Sequence, residues 1–167
     1  KEVFTTTDLA KKPVSVVSLA WEQFRKHELP SNARVLLIGA GQIIRNFSKF
    51  LNENGYTNLT FANRTFENAE ALAKTAGGKA LSLDELNAYT EGFDALISCT
   101  GSPDIIVNED MYANLIQGEK DSKLIIDLAL PCDVAQGIST RENVHYYGME
   151  QIKQWANENM QFREQAI

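Results

Sequence analysis

The stretch RVLLIGAGQIIRNF, residues 34–47, constrains the chain most, because it runs a short apolar segment straight into Gly39-Ala40-Gly41 and on into apolar residues at helical spacing. Val35 to Ile38 is too short for a buried helix and reads as a strand, whereas Gln42 to Asn54 reads as a helix. A strand that turns tightly into a helix aims free backbone N–H groups and the positive end of the helix dipole at one point. An anion, typically the pyrophosphate of a dinucleotide, binds well there. Glycines also serve ordinary turns, so the rest of the chain has to discriminate.

The remainder alternates strands with helices. Ahead of the glycines, Pro13 stands where a helix can begin, and Val16, Val17, Trp21 and Phe24 give it an apolar face to about Leu29, where Pro30-Ser31-Asn32 breaks it. After the helix stopped by Gly55 come a strand over 58–62, a helix over 66–76 stopped by Gly77-Gly78, and a short strand near 79–81. Ser82 followed three residues later by Glu85 reads as a capping box, predicting another helix. A fourth strand spans Asp94 to Ser98, and Asn108 with Glu109 and Asp110 opens a further helix. The fifth strand, Lys123 to Asp127, ends at a Pro131 turn; a last one near Val144 to Tyr146 precedes a helix from Met149 with Ile152, Trp155 and Phe162 on one side.

Such βα alternation with near-continuous apolar strands predicts a doubly wound, Rossmann-type, mostly parallel sheet with helices on both faces, plus flanking N- and C-terminal helices. The expected organisation is an N-terminal linker and flanking helix over 1–30, a Rossmann domain over 31–148, and the start of a C-terminal linker or dimerisation helix over 149–167. Ligands of such sheets bind outside the carboxyl ends of the strands. The glycine turn lies at such an end, and so do Asn63-Arg64, Thr100-Gly101 and Asp127.

Where an NAD-binding domain usually has an acid for the ribose 2′-OH, this chain reads Asn63-Arg64-Thr65, 22 residues beyond Gly41. An acid would repel a 2′-phosphate, whereas Arg64 can pair with it bidentately and Thr65 can donate a hydroxyl, so NADP(H) fits better than NAD(H). The plain alternative is that Arg64 is a solvated surface charge and Thr65 caps the next helix. Thr100-Gly101-Ser102 offers a close backbone and small hydroxyls beside a cofactor ribose, or is simply a turn. Asp127 faces the nicotinamide or, the better reading, caps the loop after it. His27 and His145 have no visible catalytic partner, and no His or basic cluster stands near Cys132 to activate it.

At 167 residues and a formal charge of −6, the chain is about one domain with no overall basic character for nucleic acid. No apolar run is long enough to span a bilayer and no secretory signal is visible, which predicts a cytoplasmic protein. Cys99 and Cys132 lack metal-ligand spacing, so neither a disulfide framework nor a metal site is expected. The first residue is Lys rather than Met, which suggests a piece of a longer protein.

Almost the whole chain, from KKPVSVVSLA through VLLIGAGQII, FANRT, LISCTGSP and LIIDLALPCDV to NVHYYGMEQI, resembles the central nucleotide-binding domain of the glutamyl-tRNA reductases. Gly-Ala-Gly and Asn-Arg-Thr are shared with shikimate dehydrogenases; the Val-Ser-Val and Asp-Leu-Ala-Leu-Pro segments point to the reductases. The resemblance implies that Gly39, Ala40, Gly41, Gln42, Ile43 and Ile44 bind the NADPH phosphates. Asn63, Arg64 and Thr65 would hold the adenosine end, with Thr100, Gly101 and Ser102 bordering the cofactor. It implies an NADPH-dependent oxidoreductase of porphyrin (heme) biosynthesis that turns glutamyl-tRNA into glutamate-1-semialdehyde through a cysteine thioester. That cysteine and the tRNA-recognition and dimerisation regions would lie in domains outside this chain, so no catalytic residue is expected within it and the fragment alone should be inactive. The partners implied for the whole enzyme are glutamyl-tRNA, a second copy of itself, and glutamate-1-semialdehyde aminomutase.

Three positions depart from the family pattern: Cys132, where Arg commonly follows the Pro; Gly148-Met149-Glu150, in place of an acidic pair; and Ile44, where a small residue is usual. A bulky Ile44 should hold the helix off the strand or turn toward the nicotinamide, weakening cofactor affinity. The competing readings are a shikimate dehydrogenase-like oxidoreductase domain and a non-catalytic NADP(H)-binding scaffold.

Overall fold

The computed structural model describes residues 15–166, with side chains through residue 158. Pro13, the expected helix start, and the Phe162 side chain lie outside what is described. The first helix, α1 (Val16–Lys26), is opened by Ser15, whose Oγ accepts from the Ser18 N–H at 3.2 Å. Then β1 (Val35–Ile38) runs into α2 (Gln42–Glu53), β2 (Leu59–Asn63) into α3 (Phe66–Ala76), and β3 (Lys79–Ser82) into a single 3₁₀ turn, Asp84–Ala88. The second half is β4 (Ala95–Ser98), α4 (Glu109–Leu115), β5 (Lys123–Asp127), a short α5 (Gln136–Ser139), β6 (Val144–Gly148) and α6 (Met149–Ala166).

All six strands are parallel, in the order β3-β2-β1-β4-β5-β6. The chain enters in the middle of the sheet, winds to one edge, returns, and winds to the other. Between β1 and β4 the winding reverses, and the loops leaving these two neighbours part to opposite faces, opening a crevice at their carboxyl ends.

Both faces are covered, which is why the strands are apolar without alternation. Val35, Leu37, Ile97 and Ile126 pack on one face with Phe24, Phe47, Leu51 and Ile152; Leu36, Ile38, Leu96 and Ile125 pack on the other with Leu86, Phe93, Tyr112 and Ile138. At the amino ends of the strands, Arg34 pairs with Asp94 at 2.7 Å and Glu119 at 2.8 Å, and the fully buried Lys123 pairs with Glu119. Ion pairs thus close one end of the sheet while the other stays open.

One local expectation is corrected, and one element was not foreseen. The capping box forms, with Ser82 N–H donating to Glu85 Oε1 at 2.8 Å and Glu85 N–H to Ser82 Oγ at 3.3 Å, yet it starts only the 3₁₀ turn. The cap satisfies one end, but five residues later Tyr89 must already turn extended to bring the chain to β4. The short α5 gave no sequence signal, being one helical turn without a side-chain cap.

The flanking helices share the sheet's core. Trp21 stacks on Phe24 and Phe50 at ring distances of 5.2 and 5.6 Å and meets Phe47 edge-on at 5.8 Å, which ties α1 to α2. From α6, Ile152 is fully buried and Trp155 meets Tyr147 of β6 at 6.0 Å. Trp21→Ala should therefore cost about 3–5 kcal/mol, the usual penalty for emptying an aromatic core site. Urea denaturation reads this as a shifted midpoint, and a shift below about 1 kcal/mol would mean that α1 is not part of the cooperative unit.

Candidate functional site at the carboxyl edge of the sheet

The crevice at the point of reversal holds ≈ 300 Å³. Its walls are Gly39 and Ala40 leaving β1, Asn63, Arg64 and Thr65 leaving β2, and Cys99 to Pro103 leaving β4. Three segments far apart in sequence, each singled out by its residues, therefore face one space. Parallel pairing in register is what aligns their exits: Ile38 lies beside Ala62 and beside Ser98.

The two glycines differ in what requires them. Gly39 has φ 118°, and a Cβ there would overlap the Cys99 carbonyl oxygen and stand 3.3 Å from Ile44 Cγ1. The fold itself needs a glycine at this contact. Gly41, the residue that caps α2, has φ −83° and ψ −169°, open to any residue, and a Cβ added to it meets nothing within 4 Å. It is exposed, and α2 has no side-chain cap bond, so its first N–H groups have no capping partner; Gly41, Gln42, Ile43 and Ile44 lie just beyond Gly39 and Ala40 and do not themselves line the crevice. Nothing in the chain demands that Gly41 lack a side chain.

Ile44 corrects an expectation. Its side chain is fully buried among Phe47, Leu37 and Ile97 in the core beneath the turn, rather than turned to the ligand side. The third residue of a helix that rises from a strand end points back over the sheet, and the missing Cβ of Gly39 leaves it room. Only its backbone N–H remains for a ligand. Gln42 is exposed and bonded to Asn46 at 2.8 Å; Ile43 is half-buried against the core.

On the second wall, Arg64 and Thr65 are exposed. Among the described residues Arg64 has no ion pair or hydrogen bond. Thr65 occupies the cap position of α3, but its hydroxyl makes no capping bond. Asn63 Nδ2 donates to the Thr65 carbonyl at 3.0 Å, which holds the three residues as a tight bend.

The third wall corrects a second expectation. Thr100 and Ser102 line the crevice, but their hydroxyls are already engaged. Thr100 Oγ1 donates to Asp133 Oδ1 at 2.6 Å and accepts from Ser102 N–H at 3.2 Å; Ser102 Oγ donates to the Asp104 carbonyl at 2.9 Å and accepts its N–H at 3.0 Å. They shape the wall instead of offering free donors. Gly101 is exposed with open space above it.

Asp127 caps the loop after β5. Its Oδ1 accepts from Ala129 N–H at 3.1 Å, and its Oδ2 accepts from Asp133 and Val134 N–H, each at 2.9 Å, and from Tyr146 Oη at 3.3 Å. Sequence reasoning missed Asp133, which is fully buried and bonded to the β4 exit; a lone Asp after Pro-Cys gives no signal, since its partners are about thirty residues away. A larger hollow of ≈ 500 Å³ opens on the same edge, between β5 and β6, walled by Pro131, Cys132, Tyr146 and Gln151, but no cation lines it. Arg64, Gly39 and the β4 exit lie at the smaller crevice instead.

Neither thiol is poised for attack. Burial pushes Cys99 up to about 11, helped by the negative charges of Asp133 and Asp127, and Cys132 is also raised, mainly by burial. His27 and His145, unpaired in sequence, meet at a ring distance of 5.0 Å, with His27 Nε2 3.0 Å from Tyr147 Oη; burial and His145 lower the His27 pKa. His145 pairs in register with Leu124, near the amino end of β5, so this pair sits away from the crevice.

Burial raises Asp127 to about 6, outweighing the three N–H groups that favour its charged form. The unfolded carboxyl titrates near 3.9, so between about pH 4 and 6 the folded chain holds a proton that the unfolded chain has lost. Folding stability from this group therefore falls as pH rises through that window, by roughly 2–3 kcal/mol at about 1.4 kcal/mol per unit. Asp127→Asn should remove the fall: the stability difference, variant minus wild type, should rise in urea melts from pH 4 to 6.5. A flat difference would show that Asp127 is charged in the fold throughout.

Residues 19–155 match the model of the shikimate/quinate 5-dehydrogenase family, and the chain belongs to that family. It is 33% identical over 169 residues to the glutamyl-tRNA reductase of Alcanivorax borkumensis, covering 99% of this chain but 40% of the reductase. The structure of glutamyl-tRNA reductase from Methanopyrus kandleri superposes with a TM-score of 0.75 at 32% identity, over 91% of this chain and 39% of that one. The nucleotide-binding domain of the Thermoplasma volcanium reductase, 22% identical, shares the fold at a TM-score of 0.66 over 90% of this chain and 96% of that domain. The chain thus spans about two fifths of the length of the reductases it matches.

Proposed function

We propose that this chain binds NADPH in the crevice between β1 and β4 and serves as the nucleotide-binding domain of a glutamyl-tRNA reductase. Gly41 carries the reading: a glycine with no steric or conformational need inside the chain, at the uncapped start of a helix, leaves space for something outside the chain. A pyrophosphate fits, since the helix start supplies N–H donors and a positive dipole. Arg64, exposed and without a partner among the described residues, suits a 2′-phosphate. The residues present therefore fit the cofactor.

On this reading the N–H groups at Gly41 to Ile44 hold the phosphates and Arg64 with Thr65 holds the adenosine end. The backbone of Thr100 to Ser102 forms the wall along which the rest lies. When bound, the cofactor supplies hydride, and the protein's part is position and electrostatics. The whole enzyme would reduce glutamyl-tRNA to glutamate-1-semialdehyde for porphyrin synthesis, in the cytoplasm, as a homodimer that engages tRNA and hands product to an aminomutase. Both thiols here are held protonated, so the nucleophile for such a reaction would come from outside this chain. Among the described residues, no helix is long and apolar enough to cross a membrane.

The glycines give a paired test. Gly41→Val should leave stability within about 1 kcal/mol of wild type, because the site is open and its backbone ordinary, while NADPH binding falls sharply. Gly39→Ala should cost about 1–3 kcal/mol through strain and overlap at the β4 exit. Equal loss of fold at both positions would make Gly41 an ordinary turn glycine. Calorimetric titration with both nucleotides should show NADPH preferred to NADH. Arg64→Ala should weaken NADPH about tenfold to a hundredfold, the worth of one charge-assisted hydrogen bond, and leave NADH nearly unchanged. Equal loss for both would assign Arg64 to the shared adenosine pocket.

A further inference from the structure

The wall of the crevice formed by Cys99 to Ser102 is held from behind by two buried carboxylates in series. Asp127 gathers the N–H groups of Ala129, Asp133 and Val134, which winds the β5 loop around its carboxylate and fixes the backbone of Asp133. The Asp133 carbonyl accepts from Ile106 and Val107 N–H at 2.8 and 2.9 Å, fastening that loop to the segment ahead of α4. The fully buried Asp133 side chain then reaches across to β4. Its Oδ2 accepts from Ser98 Oγ at 2.7 Å and Thr100 N–H at 2.9 Å, and its Oδ1 accepts from Thr100 Oγ1 at 2.6 Å.

We propose that Asp133 is a positioning residue for the dinucleotide: its carboxylate fixes the β4 exit loop in the shape that cradles the half of the cofactor beyond the adenosine end. The inference rests on the NADPH-binding reading. Three hydrogen bonds converge on one carboxylate, and two of them come from Thr100, which lines the crevice. Order passes outward from there, since Thr100 Oγ1 accepts the Ser102 N–H and Ser102 Oγ brackets Asp104. An Asn at 133 keeps the volume and can keep all three contacts, its NH₂ donating to a reversed Thr100 hydroxyl, but it removes the negative charge, so the charge-assisted bonds that hold the loop become weaker neutral ones. The Asn63-Arg64-Thr65 bend is fixed separately, by its own Asn63 bond and by Leu83 N–H on the Asn63 carbonyl, and does not depend on Asp133.

That separation supplies the test. Wild-type chain and Asp133→Asn are titrated with NADPH and with 2′,5′-ADP, which carries the adenosine end and its 2′-phosphate but no nicotinamide half. Asp133→Asn should weaken NADPH about tenfold, as three charge-assisted bonds become neutral ones, with 2′,5′-ADP changed less than about twofold. Unchanged NADPH binding, or equal loss of both ligands, would overturn the proposal. Because Asp133→Asn weakens a buried network and endangers the fold, Ser98→Ala is the second variant. Ser98 is fully buried within β4 and bonds Asp133 without reaching the crevice, so a folded Ser98→Ala chain should lose about threefold for NADPH alone, part of one such bond. Wild-type affinity for NADPH in that variant would also overturn the proposal. A wild-type chain that binds neither ligand would overturn the cofactor reading, and this inference with it.

Discussion

The close approach of Gly39 to the Cys99 carbonyl is the contact on which the site depends. β1 and β4 are hydrogen-bonded neighbours in register, and the chain leaving β1 must turn up into α2 directly against the chain leaving β4. A side chain at 39 would push those exits apart. With none there, Ile44 is buried in the core beneath the turn, and α2 begins just past the crevice-lining Gly39 and Ala40.

Around that contact the chain divides its polar groups into two kinds. Those behind the crevice are committed: Asp127, Asp133, Ser98, Thr100 and Ser102 hold each other and the backbone of three loops. Groups at or just beyond its mouth are free: the Arg64 guanidinium, the Thr65 hydroxyl and the start of α2 have no partner among the described residues. Buried polar groups left half-satisfied would be costly, whereas exposed ones are kept in water until a ligand replaces it. A rigid back wall and an uncommitted front are what a binding site needs to stay pre-formed.

The sheet was legible because its evidence is local. Lys123–Asp127 and the start of α6 at Met149 fall where the apolar pattern ends, and Gly77 stops α3 at φ 82° as a helix-ending glycine should. The 3₁₀ turn after Ser82 was less legible, since a capping box reports only the start of a helix and not whether the chain can continue it. Ile44 was misjudged for a related reason. The expectation treated its bulk as an obstacle, and only the backbone of Gly39 shows where that bulk goes.

The sequence by itself determined the alternation of strands and helices, the glycine turn, the basic bend at Asn63-Arg64-Thr65, and with them the cofactor class expected at the strand ends. These rest on periodicity and on residue chemistry within a few positions of each other. Only the tertiary structure decided that the Thr100 hydroxyl is spent on Asp133, that His27 and His145 are neighbours, and that Asp133 spans to β4. Those facts depend on which strands lie side by side, and hydrogen bonds between side chains some thirty to a hundred and twenty residues apart leave no periodic trace in a single sequence.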